Sequence, residues 1–145
     1  MDSINHGSPA SQKWASLLEQ AIAARAYAYA PYSHYRVGAA LLTGSGKVYT
    51  GCNIENAAYG PANCAERTAI FKAVSEGELD FEAIAVVTSD GGAPCGVCRQ
   101  VMREFAPNLT IIVGDLAGNC RVFTLPDLLP HSFGPENLGV NPPRS

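Results

Sequence analysis

Five cysteines stand in this chain of 145 residues: Cys52, Cys64, Cys95, Cys98 and Cys120. Cys95 and Cys98 form a Cys-x-x-Cys pair behind Pro94, and Glu66 lies two residues past Cys64. A Cys-x-x-Cys pair alone fits a redox dithiol, a metal clip or coincidence. Cys64-Ala65-Glu66 and Pro94-Cys95-Gly96-Val97-Cys98 each open a segment of helical pattern. On a helix, Cys95 and Cys98 share one face, and Cys64 occupies the first turn of the other helix. A helix N-terminus carries about half a positive charge and lowers thiol pKa values. Two such ends meeting would gather three thiolates at one point. That is a zinc site with three protein ligands and one open position, as catalytic zinc requires. Glu66 turns away from the ligand set yet stays near enough to exchange protons with a zinc-bound water. A plainer reading is open as well: Asn63 and Glu66 fit an Asn-x-x-Glu capping box. A closed four-cysteine site would need Cys52 or Cys120, and both read as core cysteines.

The elements that must position these groups follow from periodicity and breakers. A helix runs from Ser11, with Trp14, Leu17, Leu18, Ala21 and Ile22 on one face, and stops by Pro31. Strands are expected at 37–42 and 47–54 around the turn Gly44-Ser45-Gly46. A second helix spans 63–76 and closes at Gly77; a short buried strand covers 83–88. Gly91, Gly92 and Pro94 break the chain before a third helix at 95–105. Strands at 109–113 and 121–124 and a helical turn at 126–129 complete it. The order α-β-β-α-β-α-β-β implies a central sheet with helices on its faces. Residues 1–10 read as a loose arm, 11–138 as a single domain and 139–145 as a loose tail.

Composition narrows the function classes. Hydrophobic residues make up 47% and charged residues 16%, which excludes a disordered chain. No run reaches the ~20 apolar residues of a membrane helix, and residues 1–12 lack an apolar signal core, so a cytosolic protein is expected. An odd number of cysteines in that setting argues against a disulfide framework. A net charge of −3 without a Lys/Arg cluster argues against a nucleic-acid backbone as the main partner, and the lack of an apolar run argues against a membrane.

Cys-x-Glu followed by Pro-Cys-x-x-Cys is the signature of zinc nucleobase deaminases. With its surroundings the chain resembles the small homotetrameric cytidine deaminases, of the cytidine and deoxycytidylate deaminase family. The matching blocks are Pro31-Tyr32-Ser33 with Val37-Gly38-Ala39-Ala40-Leu41, and Gly51 to Ala57. They continue with Asn63 to Arg67, Pro94-Cys95-Gly96 with Cys98-Arg99-Gln100, and Leu128-Leu129-Pro130 with Phe133-Gly134-Pro135. The resemblance implies a three-layer α-β-α sandwich around a mixed five-stranded sheet. It implies hydrolytic deamination of cytidine and 2′-deoxycytidine in pyrimidine salvage. One Zn²⁺ per subunit would sit on Cys64, Cys95 and Cys98, with water or hydroxide as fourth ligand. Glu66 would be the proton shuttle and Arg67 would offset thiolate charge.

Asn53 and Glu55 would hold the ribose. Two apart on a strand, they face one side, which leaves Cys52 and Ile54 to face the core. Tyr35, where the family usually carries Phe, would stack on the pyrimidine, and Ala65 would also contact substrate. Tyr59 and Phe133 would come from neighbouring subunits of a homotetramer. Ala93 stands where the family usually has Ser. Rival readings are a polynucleotide deaminase, an enzyme for a modified nucleoside, a zinc-stapled binding module and a redox protein. The first needs a basic groove with aromatic platforms, which the scattered Lys and Arg do not supply; the last leaves Cys64 and Glu66 unexplained.

Overall fold

The computed structural model describes residues 3–5, 9–141 and 143. Its elements are β1 (Ser3–Asn5), α1 (Pro9–Arg25), β2 (Gly38–Thr43), β3 (Val48–Cys52), α2 (Ala65–Ser75), β4 (Phe81–Val87), α3 (Gly96–Phe105), β5 (Thr110–Gly114), β6 (Asn119–Thr124), α4 (Leu125–Leu128) and a 3₁₀ turn (Pro135–Leu138). The sheet order is β1-β6-β5-β4-β2-β3, with β4 and β5 parallel and all other pairs antiparallel.

The mixed sheet of five strands is present as expected, and Ser3–Asn5 adds a short sixth strand against β6. Part of the segment expected as a loose arm is therefore paired, because β6 otherwise presents a free edge. Helix α1 also starts earlier, at Pro9, a residue suited to a first helical position. It ends at Arg25 rather than near Pro31, and tight turns follow over residues 23–28.

Strand alternation sorts the core into two layers. Ala40, Ala83, Ala85, Val87, Ile112 and Cys120 pack beneath Leu17 and Ala21 of α1. Ala39, Leu41, Ile84, Val86, Ile111 and Val113 face Ala69 and Ile70 of α2 and Met102 of α3. The alternation breaks once. Leu42 pairs with Ala83 but Thr43 with Phe81, so exposed Glu82 is an extra residue. This bulge turns Phe81 into the α2–α3 layer, where its ring meets Phe105 at a centroid distance of 5.4 Å.

One close approach sets where α2 begins. A Cβ at Gly51 would lie 2.5 Å from the Ala65 carbonyl oxygen and 2.6 Å from the Ala69 nitrogen. The first turn of α2 thus rests on bare backbone of β3. On the sheet's outer edge, Lys72 Nζ donates to the Thr50 carbonyl of β3.

Gly51→Ala must push α2 off β3, because the atoms in the way are main chain. We expect a loss of about 1–3 kcal/mol in urea unfolding, as for other overpacked sites, together with weaker metal retention.

Candidate active site

Helices α2 and α3 meet by their N-termini on the same layer of the sheet. Cys64 and Cys95 are their N-cap residues, both with extended backbone. Cys64 therefore precedes the first turn instead of lying within it. The capping-box reading of Asn63 and Glu66 fails for the same reason. With Cys64 as cap, Glu66 is the second helical residue, and Asn63 instead donates to Thr68 Oγ1 at 3.2 Å.

The sulfurs of Cys64, Cys95 and Cys98 all lie within 4.8 Å of one another. Cys95 Sγ is 3.7 Å from Cys64 Sγ and 3.5 Å from Cys98 Sγ. Tetrahedral zinc, with bonds of about 2.3 Å to sulfur, holds its sulfurs about 3.8 Å apart. The three thiols fit that ion without rearrangement of the backbone. Among the described residues this is the one such group of possible ligands.

Charge at the site is balanced by neighbours. Arg67 Nη2 donates to Cys64 Sγ at 3.2 Å, and its buried Nε has no partner among the described residues. The Cys64 thiol is held down at about 5, chiefly by a hydrogen bond from Cys98 and then by Arg67, against the effect of burial. Cys98 is pushed up by the same pairing and by burial, so in the metal-free chain it keeps the proton. Glu66 is 4% exposed. Burial first, and then the Cys64 charge, push its carboxyl up to about 7. A carboxyl with that value takes and releases protons readily at neutral pH.

These groups floor a cavity of about 350 Å³. Tyr35, Asn53, Glu55, Cys64, Glu66, Arg67 and Cys95 line it, as do Ser33, Ile54, Thr88, Gly92 and Ala93. Cys98 lies beneath, fully buried. Asn53 Oδ1 accepts the Val37 N–H at 2.8 Å and its Nδ2 donates to the Tyr35 carbonyl at 2.7 Å. Glu55 Oε1 accepts the N–H groups of Tyr32 and Ser33 at 3.0 and 3.1 Å, and Oε2 accepts the Ser33 hydroxyl. The Ser33 hydroxyl bond leads the causes that hold the Glu55 carboxyl below its ordinary value. Tyr35 donates its hydroxyl to Asp90 Oδ1 at 2.7 Å.

Other residues stand elsewhere. Ala65 is fully buried in the core and does not line the cavity. Tyr59, 78% exposed with φ of 62°, and Phe133, 57% exposed, both lie outside this chain's own cavity. Gln100 Nε2 holds the Phe133 carbonyl at 2.9 Å.

Two expectations need correction. Ile54 lines the cavity at 45% exposure instead of facing the core. Cys52 is half-buried and lines a separate surface cleft with Lys72 and Tyr27. The cause is that β3 ends at Cys52: Ile54 then exchanges hydrogen bonds with Asn63, while Tyr29 bonds to Asn53 and Glu55. The alternation of a strand does not carry past that switch. Cys120 is buried in the core as expected.

Sequence reading also missed Thr88 and Asp90. Thr88-Ser89-Asp90-Gly91-Gly92 carries the Ser/Thr- and Asx-turn signal, which announces a built turn rather than a plain break.

The model of the family described as "Cytidine and deoxycytidylate deaminase zinc-binding region" matches residues 11–114, which include every residue of the thiol cluster. The chain belongs to that family. It is 53% identical over 125 residues to a cytidine deaminase of Halalkalibacterium halodurans, covering 84% of this chain and 95% of the relative. The corresponding protein of Sporosarcina psychrophila is 49% identical, with 84% and 92% covered. Among solved structures, a cytidine deaminase from Burkholderia pseudomallei superposes with a TM-score of 0.79 at 53% identity, covering 82% of this chain and 98% of that one. One from Mycobacterium tuberculosis gives 0.74 at 42%, with 83% and 97% covered. Zinc is the family's metal, and the thiol cluster here suits it.

Zinc must displace the Cys98 proton when it binds. Its affinity should therefore fall about tenfold or more per pH unit between pH 8 and 6, measured by chelator competition. An affinity independent of pH would mean that the metal does not use Cys98.

Proposed function

We propose that this protein catalyses the zinc-dependent hydrolytic deamination of cytidine and 2′-deoxycytidine to uridine and 2′-deoxyuridine, releasing ammonia, in pyrimidine salvage. The observation that carries this reading is the pairing, in one cavity, of three thiols spaced for zinc with a buried carboxyl poised near neutrality. When bound, zinc supplies Lewis-acid activation of the attacking water. Cys64, Cys95 and Cys98 hold the metal. Glu66 removes one proton from the water and delivers it to pyrimidine N3, then takes the second from the hydroxyl added at C4 and passes it to the departing 4-amino group, as the C4–N bond breaks and the carbonyl forms. Arg67 and the two helix N-termini draw charge from the sulfurs.

Asn53 and Glu55 take the ribose. Hydrogen bonds from the 32–37 segment fix both side chains, and Glu55 Oε2 retains a lone pair for a sugar hydroxyl. Tyr35 offers its ring to the base, whereas Ala65, fully buried in the core, has no side-chain surface to offer the substrate. The cavity's charged lining is Glu55, Glu66 and Arg67, and Arg67 is spent on sulfur. Without a spare cation for phosphate, a free nucleoside suits this pocket better than a nucleotide or a polynucleotide.

Residues 11–138 act as one catalytic domain. We place the protein in the cytosol; no helix among the described residues is long and apolar enough to cross a membrane. The enzyme works as a homotetramer in which Tyr59 and Phe133 complete neighbouring sites. Their exposure supports this.

Loss of cytidine absorbance should appear with the zinc-loaded protein, vanish on chelation and return with zinc. Glu66→Gln should keep its zinc while turnover falls by at least about 10²–10⁴-fold; near-parent turnover would remove the shuttle role. Arg67→Ala should be milder, with weaker zinc retention and a shifted pH–rate profile. Sedimentation at micromolar concentration should give a tetramer, and an active monomer would refute the shared sites.

A further inference from the structure

Tyr35 is anchored at both ends. Its N–H donates to Ser33 Oγ at 3.0 Å and its carbonyl accepts Asn53 Nδ2 at 2.7 Å. Across the cavity mouth its hydroxyl donates to Asp90 Oδ1 at 2.7 Å. The same Asp90 oxygen accepts Thr88 Oγ1 at 3.0 Å and the Gly92 N–H at 3.2 Å. Thr88 is 2% exposed, and its Oγ1 accepts the N–H groups of Gly91 and Gly92 at 2.8 and 2.9 Å. These bonds shape the turn at 88–92 that leads through Ala93 and Pro94 to Cys95. The fit against Tyr35 is close: a Cβ at Gly92 would lie 2.9 Å from the phenol oxygen. Thr88, Gly92 and Ala93 line the cavity from the turn after β4, and Ser33, Tyr35 and Val37 line it from the segment before β2.

We propose that Tyr35 is a positioning residue whose hydroxyl latches the 88–92 turn to the 32–37 segment, holding these two parts of the cavity lining at the spacing a nucleoside needs. The ligand in this statement rests on the function proposed above; the latch is a property of the fold. A ring tied at its backbone and at its far end has no rotamer freedom left to lose when ligand binds, so the wall is ordered in advance. Removing the hydroxyl frees the ring tip and takes one of three donors from Asp90 Oδ1. The turn then loses its only tie across the mouth among the described residues.

The test uses the zinc-loaded protein and Tyr35→Phe, which keeps the ring. Loss of one such hydrogen bond should raise KM for cytidine about three- to tenfold, with a smaller effect on kcat. Hydrogen exchange at the Gly91 and Gly92 amides should quicken in the substrate-free variant. Asp90→Ala, which also removes the acceptor of Thr88 Oγ1 and the Gly92 N–H, should show both effects at least as strongly, and the double variant should be no worse than Asp90→Ala alone, since the Tyr35 hydroxyl then has no partner left to lose. An unchanged KM, unchanged exchange, or additive effects in the double variant would each overturn the latch. If the parent fails to deaminate cytidine while exchange still responds to Tyr35→Phe, the latch stands and the nucleoside reading falls.

Discussion

Three sulfur ligands cannot share a few ångströms as anions unless positive charge is in place to meet them. Two unit charges 3.7 Å apart repel by about 4 kcal/mol at an effective dielectric of about 20. The chain prepares for this before any metal arrives. Cys64 and Cys95 cap two helices, where the backbone N–H groups are unsatisfied and the dipole is positive. Arg67 bonds to Cys64, and Cys98 retains its proton. The carboxyl of Glu66 is buried beside this group, and its raised pKa is the cost of that neighbourhood turned into a capacity to carry protons.

The meeting of the two helix ends is a matter of packing. Small residues line the inner side of α2, with Ala65, Ala69 and Ala73 fully buried, so the helix lies close on the sheet. Gly51 lets the first turn touch β3 backbone to backbone. In α3 only Cys98 and Met102 are fully sequestered, so one of its two main anchors in the core is itself a member of the thiol cluster.

What the residues disclose in advance depends on how far apart the deciding partners are. Cys-x-x-Cys behind Pro94 and Cys-x-Glu behind Asn63 are local patterns, and the helices that begin there are local too; both were legible. The five principal strands were legible from alternation, to within a few residues at most ends. Ile54 was misread because the chain past β3 turns to Tyr29 and Asn63, partners that alternation within the strand does not announce. Phe81 lay outside the expected strand because the bulge at Glu82 breaks the period that marks one. Asp90 reads as an ordinary turn residue until Tyr35, 55 positions earlier, is brought beside it.

The margins of the sheet carry one more implication. At one margin the Thr50 carbonyl of β3 is already engaged by Lys72; at the other, β6 is covered by a strand only three residues long. Neither border offers a long row of free backbone groups to an incoming strand. The cavity mouth lies instead among the connecting segments beyond the strand ends, away from the ladder of the sheet.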